Sequence, residues 1–385
     1  MVSRLAHIPG IGVNVMGDRA DALADPSMLR LENLDTDLRP PECALRVTRQ
    51  AVDSDEANSY LPFEGHHDLK AAAAAHVGQL AGRIYDPVRE CVSVAGGLNG
   101  ILNTLLAVAE PGDEVVLADP IYAGLVNRIR LVGATPVHVP SVPTAEGWRT
   151  DPDRLAAAIG PRTAAVLLMG PAMPTGAVHD KTHLDAIADP VIEHDAWVLY
   201  DAAMERIRFD GRPVLHPASH PQLSDRVITV GSASKELRMI GWRVGWVVAP
   251  ERVLADIALV GLTNVVCQVG IAQQAVAAAL SAPDATSDVA AATRTWQQRC
   301  ETVLEQLADY PLVRPEGGWS LLIDTTEMGL TPTEASARLF DRGRVAATAM
   351  DGWGPSGERY LRLVFANEPL ERLRDLRDRF SAAFD

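Results

Sequence analysis

Between about residues 90 and 250, short apolar runs alternate with helix-length amphipathic stretches, and that alternation constrains the fold more than any other feature of the chain. The runs that read as strands are Cys91–Ala95, Glu114–Ala118, Pro136–Val139, Ala164–Met169, Trp197–Tyr200, Val227–Val230 and Val244–Val248. The stretches Asp151–Ile159 and Lys181–His194 read as helices between them. Strands that are apolar at successive positions have to be covered on both faces. Separated by helices, they predict an α/β fold: a mostly parallel seven-stranded sheet with helices on both faces. Ligands of such sheets bind beyond the carboxyl ends of the strands, so polar residues directly after a run are site candidates.

The flanks read differently. A chain of 385 residues exceeds one typical core. Residues 1–55 are interrupted by proline, and residues 271–385 mix helices (Ala272–Leu280, Thr293–Ala308) with a few strand-like runs. The expected organisation is a large domain over 56–270 and a smaller α+β domain built from 271–385 with the 1–55 segment. A net charge of −15 excludes nucleic acid as the main partner, because phosphate binding draws on clustered Lys and Arg. The first 20 residues lack the apolar core of a signal peptide, and no apolar run reaches membrane-spanning length. Cys43, Cys91, Cys267 and Cys300 lie far apart without a CxxC pair or a zinc-ligand spacing, which predicts reduced thiols, no metal and a cytoplasmic location.

The chemistry-bearing residues cluster after the runs. Ser232-Ala-Ser234-Lys235, followed by Gly241-Trp-Arg243-Val-Gly245, comes after a buried strand, which puts Lys235 at a carboxyl edge. A lysine desolvated there has a lowered pKa, which suits an amine that forms an imine. Ser232, Ser234 and Arg243 together suit a phosphate, the arginine as a planar fork. Asp201 directly follows Ala196–Tyr200; a carboxylate there needs a partner, and a protonated pyridine nitrogen or a helix N-terminus would serve. Ala95-Gly-Gly-Leu98-Asn99-Gly100 opens a helix whose N–H groups suit a phosphate. Tyr122, after Asp119-Pro-Ile, is placed either to stack on a planar ring or to pack in the core. Gly170-Pro-Ala-Met173-Pro-Thr-Gly176 is a rigid turn.

In this order, the SxSKxxxxxGxRxG stretch, the PTG loop and the strand-end aspartate resemble the class I/II aminotransferases, fold-type I enzymes that use pyridoxal 5′-phosphate (PLP). The resemblance runs from about residue 31 to the C-terminus. It implies that Lys235 is the Schiff-base lysine, that Asp201 pairs with the pyridine nitrogen, and that Leu98, Asn99, Ser232 and Arg243 hold the phosphate. It further implies that Tyr122 stacks on the ring and that Arg362, in Arg359-Tyr-Leu-Arg362, grips the substrate α-carboxylate. Tyr60, in Tyr-Leu-Pro-Phe-Glu-Gly65, corresponds to a tyrosine that reaches the phosphate of the neighbouring subunit, so a homodimer with shared sites is implied. Pro315-Glu-Gly-Gly-Trp319 is a further signature of the smaller domain.

The chain departs from that pattern at the cofactor's phenolic oxygen. The family's asparagine and tyrosine donors to that oxygen fall on Met173 and Met204, whose thioethers cannot donate. Unless another side chain or a water fills the gap, the imine is expected to hold its proton more tightly. The glycine-containing loop that approaches the substrate falls on Leu34-Asp35-Thr36-Asp37, where bulk and acidity suit either a substrate with a cationic or polar side chain or acids solvated on a loop. The expected reaction is transamination of an amino acid. The alternative is a β-eliminating C–S lyase or a decarboxylating oxidative deaminase of natural-product biosynthesis, acting for example on a cysteine S-conjugate.

Overall fold

The computed structural model describes residues 3–6, 8 and 12–385; residues 1, 2, 7 and 9–11 of the N-terminal segment lie outside the described residues. All seven expected strands form, and an eighth joins them: β1 (Cys91–Val94), β2 (Glu114–Asp119), β3 (Thr135–Thr144), β4 (Gly147–Thr150), β5 (Thr163–Met169), β6 (Trp197–Asp201), β7 (Val227–Ser232) and β8 (Gly245–Val248). Their order across the sheet is β1-β8-β7-β6-β5-β2-β3-β4. The pairs β2–β3, β2–β5, β5–β6 and β6–β7 are parallel. Only β8 and the added β4 run against their neighbours.

The central strands are buried at nearly every position because helices cover both faces. On one face Ile101 and Leu105 of the helix Gly97–Val108 pack with Leu167, Leu199 and Val230. On the other, Leu184, Ile187 and Val191 of the helix Lys181–Glu193 pack with Val166, Leu168 and Val198. Burying each such side chain stabilises the fold by about 1.5–3 kcal/mol. That helix begins at a capping box in which Asp180 and His183 satisfy each other's backbone ends.

Beyond the sheet, β9 (Leu312–Val313), β10 (Ser320–Asp324), β11 (Thr348–Ala349) and β12 (Tyr360–Val364) form an antiparallel sheet in the order β9-β10-β12-β11. Leu29–Arg30 pairs in parallel with Val345–Ala346, so the chain's start is stitched to its last third. The helix Glu42–Val52 packs against Gly270–Ser281.

Candidate active site

Since β1, β2, β5, β6 and β7 all run the same way, their carboxyl ends meet at one edge of the sheet, and β8 starts there. A cleft of about 720 Å³, counting its open mouth, lies along this edge. It brings together Leu98, Tyr122, Met173, Asp201, Met204, Ser232, Ser234, Lys235 and Arg243, the residues expected from sequence to meet there.

One end of the cleft is a cup for an anion. Gly96 precedes the helix Gly97–Val108 with φ +84°, and a Cβ at this position would stand 2.6 Å from Arg243 Nη2. Only glycine lets the guanidinium lie against the turn. Asn99 and Gly100 both donate their N–H to the Gly96 carbonyl, at 3.1 and 3.2 Å. Gly97 and Leu98 therefore head the helix at its positive end, lining the cleft. Ser234 Oγ accepts from Arg243 Nη1 at 3.2 Å, and Ser232 Oγ accepts from the Ser234 N–H at 3.2 Å. Two hydroxyls, a helix N-terminus and a guanidinium match the demands of a phosphate.

Lys235 follows this cup. Its Nζ donates to the Leu34 carbonyl at 2.8 Å and lies 4.8 Å from the centre of the Trp319 ring. Burial pulls its pKa down to about 8; Asp35 and Asp201 oppose the shift, while the cations Arg362 and Arg243 add to it. Asp201 ends β6 and is buried, accepting from the Ala203 N–H at 3.1 Å. Burial pushes its carboxyl up to about 6, against the opposing pull of that hydrogen bond and of Lys235 and Arg128. A buried carboxylate perturbed in this way is set to meet a cation supplied by a ligand.

Tyr122 flanks the cleft and meets Trp353 edge-on, with ring centroids 5.3 Å apart. On the side of β5 and β6, Met169, Met173 and Met204 form a wall of thioethers, all buried. The loop carrying Met173 is locked by the segment 315–318. At Gly176 (φ +70°) a Cβ would meet Pro315 Cβ at 2.4 Å, and the Gly176 carbonyl accepts from the Glu316 N–H at 3.1 Å.

Three residues named from sequence stand outside the cleft lining. Asn99 uses its side chain within its own turn, accepting from the Ala95 N–H at 3.0 Å and donating to Asn103 at 3.3 Å. Tyr60 is 80% exposed on the surface, edge-on to Phe63. Arg362 sits on the central strand β12, paired with Leu322 and Thr348, and is fully buried. Its Nη2 donates to the Glu32 carbonyl and to Thr348 Oγ1, while Nε and Nη1 have no acceptor among the described residues. Burial lowers its pKa to about 10. Met169, Ala203 and Ile240 also line the cleft, each without a chemical signature that the sequence could have offered. In the substrate-loop segment, Asp37 is spent on Arg299 at 2.7 and 3.0 Å, and Thr36 Oγ1 accepts from Trp296 Nε1 at 3.1 Å. Asp35 accepts from the Thr36 N–H at 2.7 Å and has no ion-pair partner among the described residues.

Comparison with known proteins agrees with this geometry. The profile of the family described as aminotransferase class I and II matches residues 29–380. An arginine–pyruvate transaminase of Pseudomonas aeruginosa is 33% identical over 331 residues, covering 84% of this chain and 83% of the relative. The aspartate/prephenate aminotransferase of Thermus thermophilus is 31% identical, covering 90% of this chain and 88% of the relative. Among solved structures, the N-succinyldiaminopimelate aminotransferase of Mycobacterium tuberculosis superposes with a TM-score of 0.92 at 28% identity, covering 99% of each chain.

Proposed function

The chain belongs to the aminotransferase class I and II family, and from that premise we propose how its own residues carry out PLP-dependent transamination. The observation that carries the proposal is the alignment along one sheet edge of an anion cup, a desolvated lysine and a buried, unneutralised carboxylate. The residues fit the cofactor: Ser232, Ser234, Arg243 and the Gly97–Leu98 helix start hold its phosphate, Asp201 its ring nitrogen, and Tyr122 its ring face. Asn99 acts one step back, fixing the turn that presents the cup. When bound, the cofactor supplies an aldehyde that condenses with amines and a pyridinium ring that withdraws electrons from the substrate Cα.

Lys235 Nζ, once free of its own linkage, takes the proton from the substrate Cα. An amine lowered to about 8 stands close to the pH at which it must both accept and return that proton. Asp201 keeps a proton on the ring nitrogen by holding a negative charge against it. Arg362 binds the substrate α-carboxylate through Nε and Nη1, the two nitrogens left without acceptors among the described residues. Asp35 follows the Leu34 carbonyl that holds Lys235 Nζ and has no ion-pair partner among the described residues, which favours an amino acid with a cationic side chain. The arginine substrate named for the Pseudomonas relative supports that choice.

The working unit is a cytoplasmic homodimer with a biosynthetic role, organised as a large domain over 56–270 and a smaller one from 1–55 and 271–385. Exposed Tyr60, Phe63, Leu259 and Val269 supply apolar surface for the pairing. No helix among the described residues is long and apolar enough to cross a membrane. The named relatives are transaminases, which favours transfer over elimination or oxidative decarboxylation. Incubating the holoenzyme with a panel of amino acids and pyruvate should yield alanine and the matching keto acids, fastest for basic amino acids. Thiol or ammonia release, or oxygen uptake without alanine, would reject transamination.

A further inference from the structure

We infer that the wall of Met169, Met173 and Met204 keeps the imine of Lys235 protonated through neutral pH, so that this enzyme takes its substrate as the free amine. The inference rests on the cofactor reading above. Three groups of this chain would hold three corners of a pyridoxal ring: Lys235 after β7 the formyl carbon, Asp201 at the end of β6 the ring nitrogen, and the cup at β1 and β8 the phosphate arm. In the cofactor's covalent structure the phenolic oxygen sits beside the formyl carbon, on the side away from the phosphate arm. Along the sheet edge, the side away from the cup is the β6–β5 side, where the three thioethers stand.

The structure also shows what does not fill this wall. Thioether sulfur donates no hydrogen bond. The Met173 N–H is spent on Met169 Sδ at 3.0 Å, and the Ala203 N–H on Asp201 at 3.1 Å. The hydroxyl of Tyr200 points away, to the Gly170 carbonyl at 3.4 Å. The cleft's remaining side-chain donors, Ser232, Ser234 and Arg243, belong to the cup, and Tyr122 follows β2, beyond the wall. Among the described residues lining the cleft, no side-chain donor stands on this wall, so the imine proton has the phenolate oxygen as its acceptor and is held more tightly. Exchange of Lys235 for a substrate amine requires one neutral amine as nucleophile and one proton on the imine. When the imine already holds the proton, the ammonium form of the substrate has to lose its own to solvent first.

The test is a pH titration of the visible imine band of the holoenzyme. We expect a midpoint above neutrality. Met204→Tyr and Met173→Asn, each restoring a donor, should lower it by about one unit, roughly the worth of a hydrogen bond to a charged group. Met204→Leu should leave it in place, and kcat/KM of the wild type should keep rising with pH toward the pKa of the substrate amine. A wild-type midpoint below neutrality overturns the inference even if a variant fails to fold. So does a midpoint that Met204→Tyr and Met173→Asn move no further than Met204→Leu does. Absence of any visible band in the loaded wild type would reject the cofactor reading itself, a different outcome from a misplaced midpoint.

Discussion

The guanidinium of Arg362 lies 4.8 Å from the centre of the Trp353 ring, and Trp353 in turn meets Tyr122 edge-on at 5.3 Å. This stack joins the strand β12 to the face of the cleft, with the Trp353 carbonyl accepting from the Ile121 N–H at 3.0 Å. Arg362 is held by an aromatic face, a carbonyl and a hydroxyl, with no carboxylate in ion-pair contact among the described residues and two nitrogens unbonded. A buried, incompletely satisfied cation is a cost to folding and an asset to carboxylate binding. Arg362→Met should therefore leave the melting temperature unchanged or raise it. It should also reduce kcat/KM by the about 2–5 kcal/mol that a desolvated charge pair loses when one partner is truncated. Thermal melts and steady-state kinetics on the same preparation separate the two effects. A large drop in melting temperature with intact kcat/KM would make Arg362 a structural residue.

Asp201 carries a pH signature. Its carboxyl is raised from 3.8 to about 6 by burial, so the folded, cofactor-free chain binds its proton more tightly than the unfolded chain does. For a raised carboxyl, stability is fullest below the unfolded pKa and falls as pH climbs through the window between the two values. The loss amounts to about 3 kcal/mol once pH exceeds the folded value. Asp201→Asn should therefore stabilise the cofactor-free protein at neutral pH while weakening cofactor retention, as read by melts without PLP and by PLP titration. A cofactor-free wild type whose stability contribution from this position rises between the two pKa values would contradict the assignment.

Sequence and structure part company where position, not residue type, decides the role. The buried strands were legible because parallel strands covered on both faces leave unbroken apolar runs. The hairpin of β3 and β4 is legible only in part, since Pro136, Pro140 and Pro143 interrupt it and most of β3 is exposed or half-buried. Lys235, Asp201 and Arg243 were legible because each is a polar residue at a strand end. In the sequence Met169 is the last residue of an apolar run, and nothing in its chemistry tells it apart from Leu168 behind it. Asn99 shows the reverse: it sits in the phosphate turn, yet its amide is consumed by Ala95 and Asn103. The Leu34 carbonyl, about 200 positions upstream of the lysine it accepts from, depends on tertiary docking that no local pattern carries.

Lys235 sets the pace of cofactor loading. Only the neutral amine attacks an aldehyde, and burial places the amine pKa at about 8. The rate of imine formation on mixing cofactor-free enzyme with PLP should rise with pH and level off above about 8. Lys235→Ala should show no visible imine band at any pH. A loading rate flat across that range, or an imine band that survives the substitution, would move the linkage to another lysine.

Tyr60 tests the shared site. It is 80% exposed in the single chain, an unusual place for a tyrosine unless a partner covers it, and its neighbour Phe63 is 52% exposed. If Tyr60 reaches the phosphate of the neighbouring subunit, Tyr60→Ala should raise the PLP concentration needed for half-saturation by about tenfold, the worth of one hydrogen bond to a charged group. The decisive form of the experiment mixes two defective chains. Lys235→Ala is inactive at every site it builds, and Tyr60→Ala is weak at limiting PLP. In a mixed dimer the Tyr60→Ala chain keeps its own Lys235 and receives an intact Tyr60 from its partner, so one complete site is regenerated. Unfolding and refolding the two together should recover activity at limiting PLP above that of either alone. If Tyr60 served its own chain's site, no mixed dimer would hold a complete site, and the mixture would show only the diluted activity of the Tyr60→Ala enzyme.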